Sequence, residues 1–385
     1  MSGKRQLVAF GIFHAVNDGS LAVFSAALPV MRVGLSLSLV EIGTVLSAGL
    51  LATVVMQFVF GFFSDAGFTK RVLFVGLASL AVANLVFVEA TSFWQMLLFY
   101  VLLRGAAGAY HPVSFSVIFR TASNRAASLG FQSAFGDASL AFAMVSTGFI
   151  AESLGWRLPF VLWGVGCVIA LFAFAWLMGI GETKAATPDL AEKLLEAGHG
   201  RKFSRSFLIP QFSTVFLQCL YLVFSGFMPL YLNVSLGLSP GISALAVALW
   251  LAFGVCFTFN AGRFVAFFGS EKTTLKVSFV LTTIILAMAT VLTFSKDLWI
   301  VAVVLEILSG VPFFLSFPVV YGLVGATVPG KRLGLAYAGN LGLSLVAGSL
   351  LSYGAGYLSS IYSLAVVLPI LVTVALAATV TAFLL

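Results

Sequence analysis

The chain has 385 residues, 61% apolar and only 9% charged, with a mean hydropathy of +1.12. No soluble domain hides that much apolar surface, because a folded protein leaves a large share of its surface wet. Composition therefore excludes a soluble enzyme, a nucleic-acid-binding domain and a disordered chain. The net charge of +7 then reads as loop charge at a membrane face.

What remains is an all-α polytopic membrane protein, since the strict alternation of a β-barrel is missing. Apolar runs of about 20 residues, the length that crosses a bilayer, recur twelve times. The expected spans are 7–31, 40–63, 72–90, 93–119, 126–150 and 157–180, then 206–232, 241–267, 273–294, 298–324, 333–358 and 362–385. Between the two sets lies the polar stretch 181–205. The reading is two six-helix bundles, 1–180 and 206–385, joined by a linker at 181–205, in which Asp189 to Ala197 also has the pattern of a short amphipathic helix. The first run is no cleaved signal peptide, since it is too long and carries His14 and Asp18.

With the N-terminus inside, sixteen of the twenty Lys and Arg residues fall in inside loops or ends, three (Arg32, Arg157, Lys296) fall outside, and Arg104 lies within a span. That bias places both termini in the cytoplasm and the protein in the cytoplasmic membrane. Cys167, Cys219 and Cys256 sit in apolar runs, and no Cys or His spacing points to a metal, a disulfide or another cofactor.

Span 1 carries His14, Asn17 and Asp18 at i, i+3 and i+4, so the three share one helix face. A charge at mid-membrane costs several kcal/mol and needs a partner or a wet cavity. Span 4 carries Arg104, Gly108 and His111 on one face, and Pro112 predicts a kink there. At a rise of about 1.5 Å per residue, Asp18 and Arg104 each lie roughly 16 Å into their spans. An Asp18–Arg104 pair with both histidines on its cytoplasmic side is the expected arrangement. In it Asp18 binds and releases a proton, Arg104 tunes it and a histidine relays it. The competing reading is a static ion pair.

Asp137 in span 5 reaches a similar depth and joins the proton-coupling candidates Asp18, Arg104 and His111. Glu306 in span 10 is a candidate for a cation or a donor group. With His14, Asn17, Gln132, Gln218, Tyr221 and Asn340 it makes up the expected substrate-contacting set. The 39 phenylalanines are read as lipid-facing or interhelical, not as a substrate box.

Two weak internal echoes support a pseudo-repeat. Gly108 to Phe115 in span 4 is matched by Gly310 to Phe317 in span 10. Spans 5 and 11 carry ladders of small residues, Ser139, Ala143, Thr147, Ala151 and Ser344, Gly348, Ser352, Gly356, which let helix backbones approach closely. Parallel six-helix repeats belong to transporters that rock around a central site.

Between spans 2 and 3 stands Gly61-Phe62-Phe63-Ser64-Asp65-Ala66-Gly67-Phe68-Thr69-Lys70-Arg71. This resembles the signature loop of the major facilitator superfamily at Gly61, Asp65 and Lys70, and departs from it at Ala66, Phe68 and Thr69. Arg104 with Gly108 resembles the superfamily's span-4 signature, whose arginine is implicated in proton transfer. The Gly-Pro pair of the superfamily's antiporters is absent, since no proline occurs from 113 to 158. Within the superfamily, His14, Asn17 and Asp18 together with Tyr110-His111-Pro112 resemble the fosmidomycin-resistance-like branch. The resemblance implies a twelve-helix secondary transporter of the major facilitator fold, with Gly61, Asp65, Lys70 and Arg71 as a conformational-switch loop. It also implies proton-driven export of a small amphipathic or anionic compound, by a monomer whose partners are substrate, protons and lipid. A proton-coupled importer of a small organic solute is the second reading, and a non-transporting receptor or scaffold the third. With no HExxH, nucleophile or GxxxxGK[ST] motif, neither an enzyme nor an ATP-driven pump is expected.

Overall fold

The computed structural model describes residues 3–121, 125–179, 205–295, 297–327 and 333–385. The linker 181–205, with its expected amphipathic helix, lies almost wholly outside them. The described residues form helices and turns, with no strand among them.

In chain order the helices are α1 (Gly3–Gly34), α2 (Leu39–Phe63), α3 (Thr69–Phe87), α4 (Phe93–Ala107), α5 (Tyr110–Thr121), α6 (Arg125–Leu154) and α7 (Arg157–Met178). Then follow α8 (Arg205–Leu236), α9 (Pro240–Thr258), α10 (Ala261–Phe268), α11 (Glu271–Thr293), α12 (Trp299–Leu308), α13 (Gly310–Ala326), α14 (Leu333–Ile361) and α15 (Val367–Phe383). Among the described residues, ten segments are long and apolar enough to cross a membrane, and one of them, Leu39–Phe87, runs through two spans. The remaining span is divided into α4 and α5. All twelve expected spans are therefore present, in a multi-pass integral membrane protein.

The break in span 4 falls at Gly108 and Ala109, upstream of the expected kink at Pro112. Proline lacks an N–H and so cannot bond the carbonyl four residues back, which is that of Gly108. Restarting the helix at Tyr110 puts Pro112 in a first turn, where the missing donor costs nothing. Span 10 repeats the solution: α12 ends at Leu308, four residues before Pro312, and α13 starts at Gly310. Both breaks are also places of close approach. A Cβ on Gly108 would lie 3.0 Å from the Thr53 carbonyl oxygen of α2, and one on Gly310 would collide with the Trp250 carbonyl of α9.

The chain divides into two compact units. One comprises Met1–Phe24, Ala48–Ala143 and Arg157–Phe203; the other comprises Ser25–Ser47, Met144–Trp156 and Ser204–Leu385. This differs from the expected split at the linker, because 25–47 and 144–156 group with the second half.

In the first unit, Phe87 of α3 stacks on Phe160 of α7 at 4.1 Å. Asn84 donates to Ser20 Oγ at 3.1 Å and to its own helix at Leu80, so its buried amide donors are satisfied.

In the second unit, the reason for the grouping is visible residue by residue. A Cβ on Gly43 would lie 2.9 Å from Gly356 Cα, so two backbones touch where neither residue has a side chain. Ser47 and Ser349 share a hydrogen bond of 2.8 Å between their hydroxyls, and Ser349 Oγ also lies within donating distance of the Ser47 carbonyl. Glu152 accepts from Ser239 Oγ at 2.9 Å and from the Gly241 N–H at 2.8 Å, placing its charge at the N-terminus of α9. The α14 ladder is used as expected for close approach at Gly356 and Gly348. In α6 the closest approach is at Gly148, against Ala244 and Gly241, one position from the expected Thr147.

Many phenylalanines, among them Phe58, Phe142, Phe172 and Phe267, are exposed on the outside of the helices, as a lipid-facing role requires.

Candidate functional site

Asp18 sits between two histidines. Its Oδ2 lies 3.1 Å from His14 Nε2 and its Oδ1 lies 3.3 Å from His111 Nε2. Asn17 Nδ2 donates to Oδ1 at 2.9 Å. His14 and His111 meet edge to face at 5.1 Å, and His14 stacks on Tyr110 at 4.6 Å. The helical spacing of 14 and 18 supplies one contact. The break before Tyr110 supplies the other by turning His111 toward α1.

The hydrogen-bond pattern fixes where protons must be. His14 Nδ1 lies 2.8 Å from the Gln132 carbonyl oxygen. A carbonyl only accepts, so Nδ1 carries a hydrogen. Nε2 then faces a carboxylate oxygen at 3.1 Å, and two bare acceptors at that distance repel. One proton therefore resides between His14 and Asp18, on the ring or on the carboxyl group. Side-chain exposure rises from 7% at His14 to 15% at Asp18 and 25% at His111. His111 is thus the more open end of the cluster.

The surroundings hold His14 in place. Gln132 is fully buried and uses its amide in both directions: Oε1 accepts from Tyr110 at 2.5 Å and Nε2 donates to the Leu7 carbonyl at 2.7 Å. Gln132, expected in the substrate-contacting set, thus also meets His14 through its backbone carbonyl. Gly136 lies against the imidazole, and a Cβ there would come within 2.5 Å of Nε2. Asp137, next in sequence, is within electrostatic range of Asp18 and His14. The ligand atoms of His14, Asp18 and His111 lie within 4.8 Å of one another. Two imidazoles and one carboxylate form a donor set of the composition that binds transition metals, although each contact is already a hydrogen-bond distance.

The expected Asp18–Arg104 pair is not formed. Among the described residues, the ionisable partners of Asp18 are the two histidines. Arg104 packs instead beside α2, where a Cβ on Gly49 would lie 2.7 Å from its Cγ, and its carbonyl accepts from Thr53. A helix face fixes which residues of one span cluster, but not which neighbouring helix they meet.

The signature loop forms one wide helical turn, Ser64–Phe68, with Gly67 at φ 99°. Gly61 has open space where its side chain would be, so it makes no close approach here. Lys70 Nζ donates to the carbonyl of Met178, the last residue of α7, at 3.0 Å. Arg71 lies over the Phe68 ring at 5.4 Å.

In the second unit, Gln218 donates to Tyr321 at 2.9 Å, and Tyr221 stacks at 6.1 Å on Trp250. Trp250 also stacks on Phe224 and Phe313. These rings, with Phe314 and Phe317, form an aromatic cluster around Tyr221 that the phenylalanine count alone does not reveal. Asn340 donates to Gln211 Oε1 at 2.5 Å. Gln211 is absent from the residues singled out in the sequence, although Gln211, Thr214 and Gln218 recur on one helix face.

Glu306 is 2% exposed, and neither carboxylate oxygen has a hydrogen-bond partner. It borders a small cavity walled by Phe224, Met228, Leu232, Val247 and Ile307. An apolar wall cannot stabilise a carboxylate charge. Replacing Glu306 by Gln should therefore change unfolding stability by less than about 1 kcal/mol. Thermal unfolding of purified protein checks this, and a loss of several kcal/mol would show that the charge matters.

A family model described as Major Facilitator Superfamily matches residues 10–275. Among solved structures, a D-xylose-proton symporter is similar at TM-score 0.81 and 15% identity, over 98% of this chain and 96% of that one. A bacterial homolog of the human lysosomal transporter Spinster, inward-facing and unoccupied, is similar at TM-score 0.82 and 18% identity, over 100% and 97% of the two chains. The nucleoside transporter NupG is similar at TM-score 0.70 and 14% identity, over 100% and 98%. At these identities the likeness is one of fold. No curated protein matches the sequence.

Proposed function

Because the chain belongs to the major facilitator superfamily, a family of transporters and not of enzymes, we propose that it exports a small amphipathic or anionic compound in exchange for protons. Its partners are that substrate and the protons, and it works as a monomer by alternating access, as in the fosmidomycin-resistance-like branch its motifs resemble. It lies in the cytoplasmic membrane with both termini inside, a placement supported by the sixteen-to-three distribution of Lys and Arg.

The observation that supports proton coupling is the 3.1 Å contact between His14 Nε2 and Asp18 Oδ2. His111, at 3.3 Å on the other carboxylate oxygen, is the relay toward the open side. Asp137 sets the local charge. The loop Gly61, Asp65, Lys70 and Arg71 is the switch, with Lys70 releasing the Met178 carbonyl when the helices move. Gln218, Tyr221 and Asn340 contribute to the substrate path.

Import of an organic solute with protons is a second reading, favoured by the missing Gly-Pro pair in span 5. Proteoliposomes loaded with a pH dye separate the two. An outward substrate gradient that drives protons inward means exchange, and an inward gradient that carries protons with it means import. Absence of flux with every class of solute would leave a receptor or scaffold.

A further inference from the structure

His14, Asp18 and His111 come from two helices, α1 and α5, so no spacing along the chain announces them as a donor set. Their ligand atoms nevertheless lie within 4.8 Å of one another. The two short separations are 3.1 Å, from His14 Nε2 to Asp18 Oδ2, and 3.3 Å, from His111 Nε2 to Asp18 Oδ1. A tetrahedral zinc ion with bonds of about 2.0–2.1 Å to nitrogen and oxygen sets its ligands about 3.3 Å apart. The hydrogen-bond distances of the cluster are thus also the edges of a metal tetrahedron. Two donors on one such ion lie at most about 4.2 Å apart, so closing the widest gap takes a few tenths of an ångström on each side. His111, with the most exposed side chain of the three, can supply that movement.

The surroundings prepare these groups as ligands. A metal-binding imidazole ordinarily gives its other ring N–H to a carbonyl or carboxylate, which fixes the ligating nitrogen. His14 does this: Nδ1 donates to the Gln132 carbonyl at 2.8 Å and leaves Nε2 turned to Asp18. Asn17 holds the carboxylate by donating to Oδ1 at 2.9 Å. Gly136 keeps Nε2 uncovered on the α6 side, since a Cβ there would lie 2.5 Å from it. Asp137 brings a second carboxyl group within electrostatic range of Asp18 and His14, which favours a dication. The exposed side of His111 is the way in, and three protein ligands leave a fourth position for water.

We propose that His14, Asp18 and His111 bind a divalent transition-metal ion of the zinc class, and that the bound ion blocks transport by occupying the coupling residues. Imidazole nitrogens select such ions over magnesium and calcium, which take oxygen ligands. The ion takes the place of the hydrogen between His14 Nε2 and Asp18, which leaves to solvent, and it pins α1 to α5. Metal binding stands apart from the transporter reading; the block rests on it.

The test is titration of the purified full chain in detergent, without a polyhistidine tag, with zinc chloride, cobalt chloride and magnesium chloride. The chain's third histidine, His199, and exposed Cys256 are replaced by Ala and Ser, so that the cluster holds the remaining imidazoles. Zinc should bind as a single ion in calorimetry and raise the unfolding midpoint, while magnesium at the same concentration does neither. Cobalt should give the visible absorption of a four-coordinate site. His111→Ala should weaken zinc binding by about 100-fold or more. His111→Cys, which supplies a thiolate, should restore it and add a sulfur-to-cobalt charge-transfer band. In proteoliposomes, zinc at about ten times its Kd leaves roughly a tenth of the protein free, so proton-coupled flux should fall to about that fraction and recover with EDTA.

The proposal is overturned if zinc neither binds nor stabilises, if magnesium matches it, or if His111→Ala keeps full affinity. If His111→Ala does not fold, Asp18→Asn is judged by the same criterion. Bound zinc with undiminished proton-coupled flux overturns the block. The two readings fail separately: zinc binding in protein that moves no solute removes transport and keeps the metal site, whereas solute flux without zinc binding removes the metal site alone.

Discussion

Asp18→Asn should abolish pH-driven transport while leaving substrate binding and substrate–substrate exchange measurable. The amide keeps the size and hydrogen-bonding capacity of the carboxyl group: it donates to or accepts from His14 Nε2 and still meets His111 and Asn17. It cannot gain and lose a proton. A gradient of one pH unit supplies about 1.4 kcal/mol per coupled proton, enough for roughly tenfold accumulation at one proton per cycle. In proteoliposomes the variant should bring that ratio to about one. Undiminished pH-driven accumulation would remove Asp18 from the coupling role.

Joining Ser47 to Ser349 should stop the transport cycle. Their hydroxyl oxygens are 2.8 Å apart, so cysteines at both positions come within reach of a disulfide of about 2.05 Å. Exposed Cys256 is replaced by serine in this background, while Cys167 and Cys219 are buried. The neighbouring Gly43–Gly356 backbone contact and the Glu152 bonds to Ser239 and Gly241 lie in the same unit. In the alternating-access cycle proposed above, these helix ends part in some step. Oxidised Ser47→Cys/Ser349→Cys protein should carry less than about a tenth of the wild-type flux, with recovery after reduction. Full flux in protein shown by mass spectrometry to be cross-linked would mean that these ends stay together throughout.

The membrane class, the twelve spans and the helix face shared by His14, Asn17 and Asp18 are all legible in the sequence. Each depends on composition or on contacts within one helix. The position of the span-4 break is nearly legible: Pro112 gives the cause, but the hydrogen bond it removes lies four residues upstream, and that is where the helix stops. The expected Asp18–Arg104 pair fails for a different reason. Equal depth in two spans is compatible with many rotations about each helix axis, and the rotation adopted turns His111 toward Asp18 and Arg104 toward Gly49. The unit boundary departs from the linker for a similar reason, since glycines and serines at 43, 47, 349 and 356 permit a close approach whose partner a single helix cannot specify.

Sequence by itself determined that this chain lives in a bilayer and where charge enters it, because hydropathy and helical periodicity are local properties. Tertiary structure decided which charges meet. Packing placed His14 Nε2 and His111 Nε2 at 3.1 and 3.3 Å from the two Asp18 oxygens, set the Gln132 carbonyl against the imidazole, lined the Glu306 cavity with apolar side chains and left the Arg104 guanidinium without a counter-ion among the described residues. Those outcomes are set by helix rotation and by competition among side chains from several helices, which spacing along one helix does not encode.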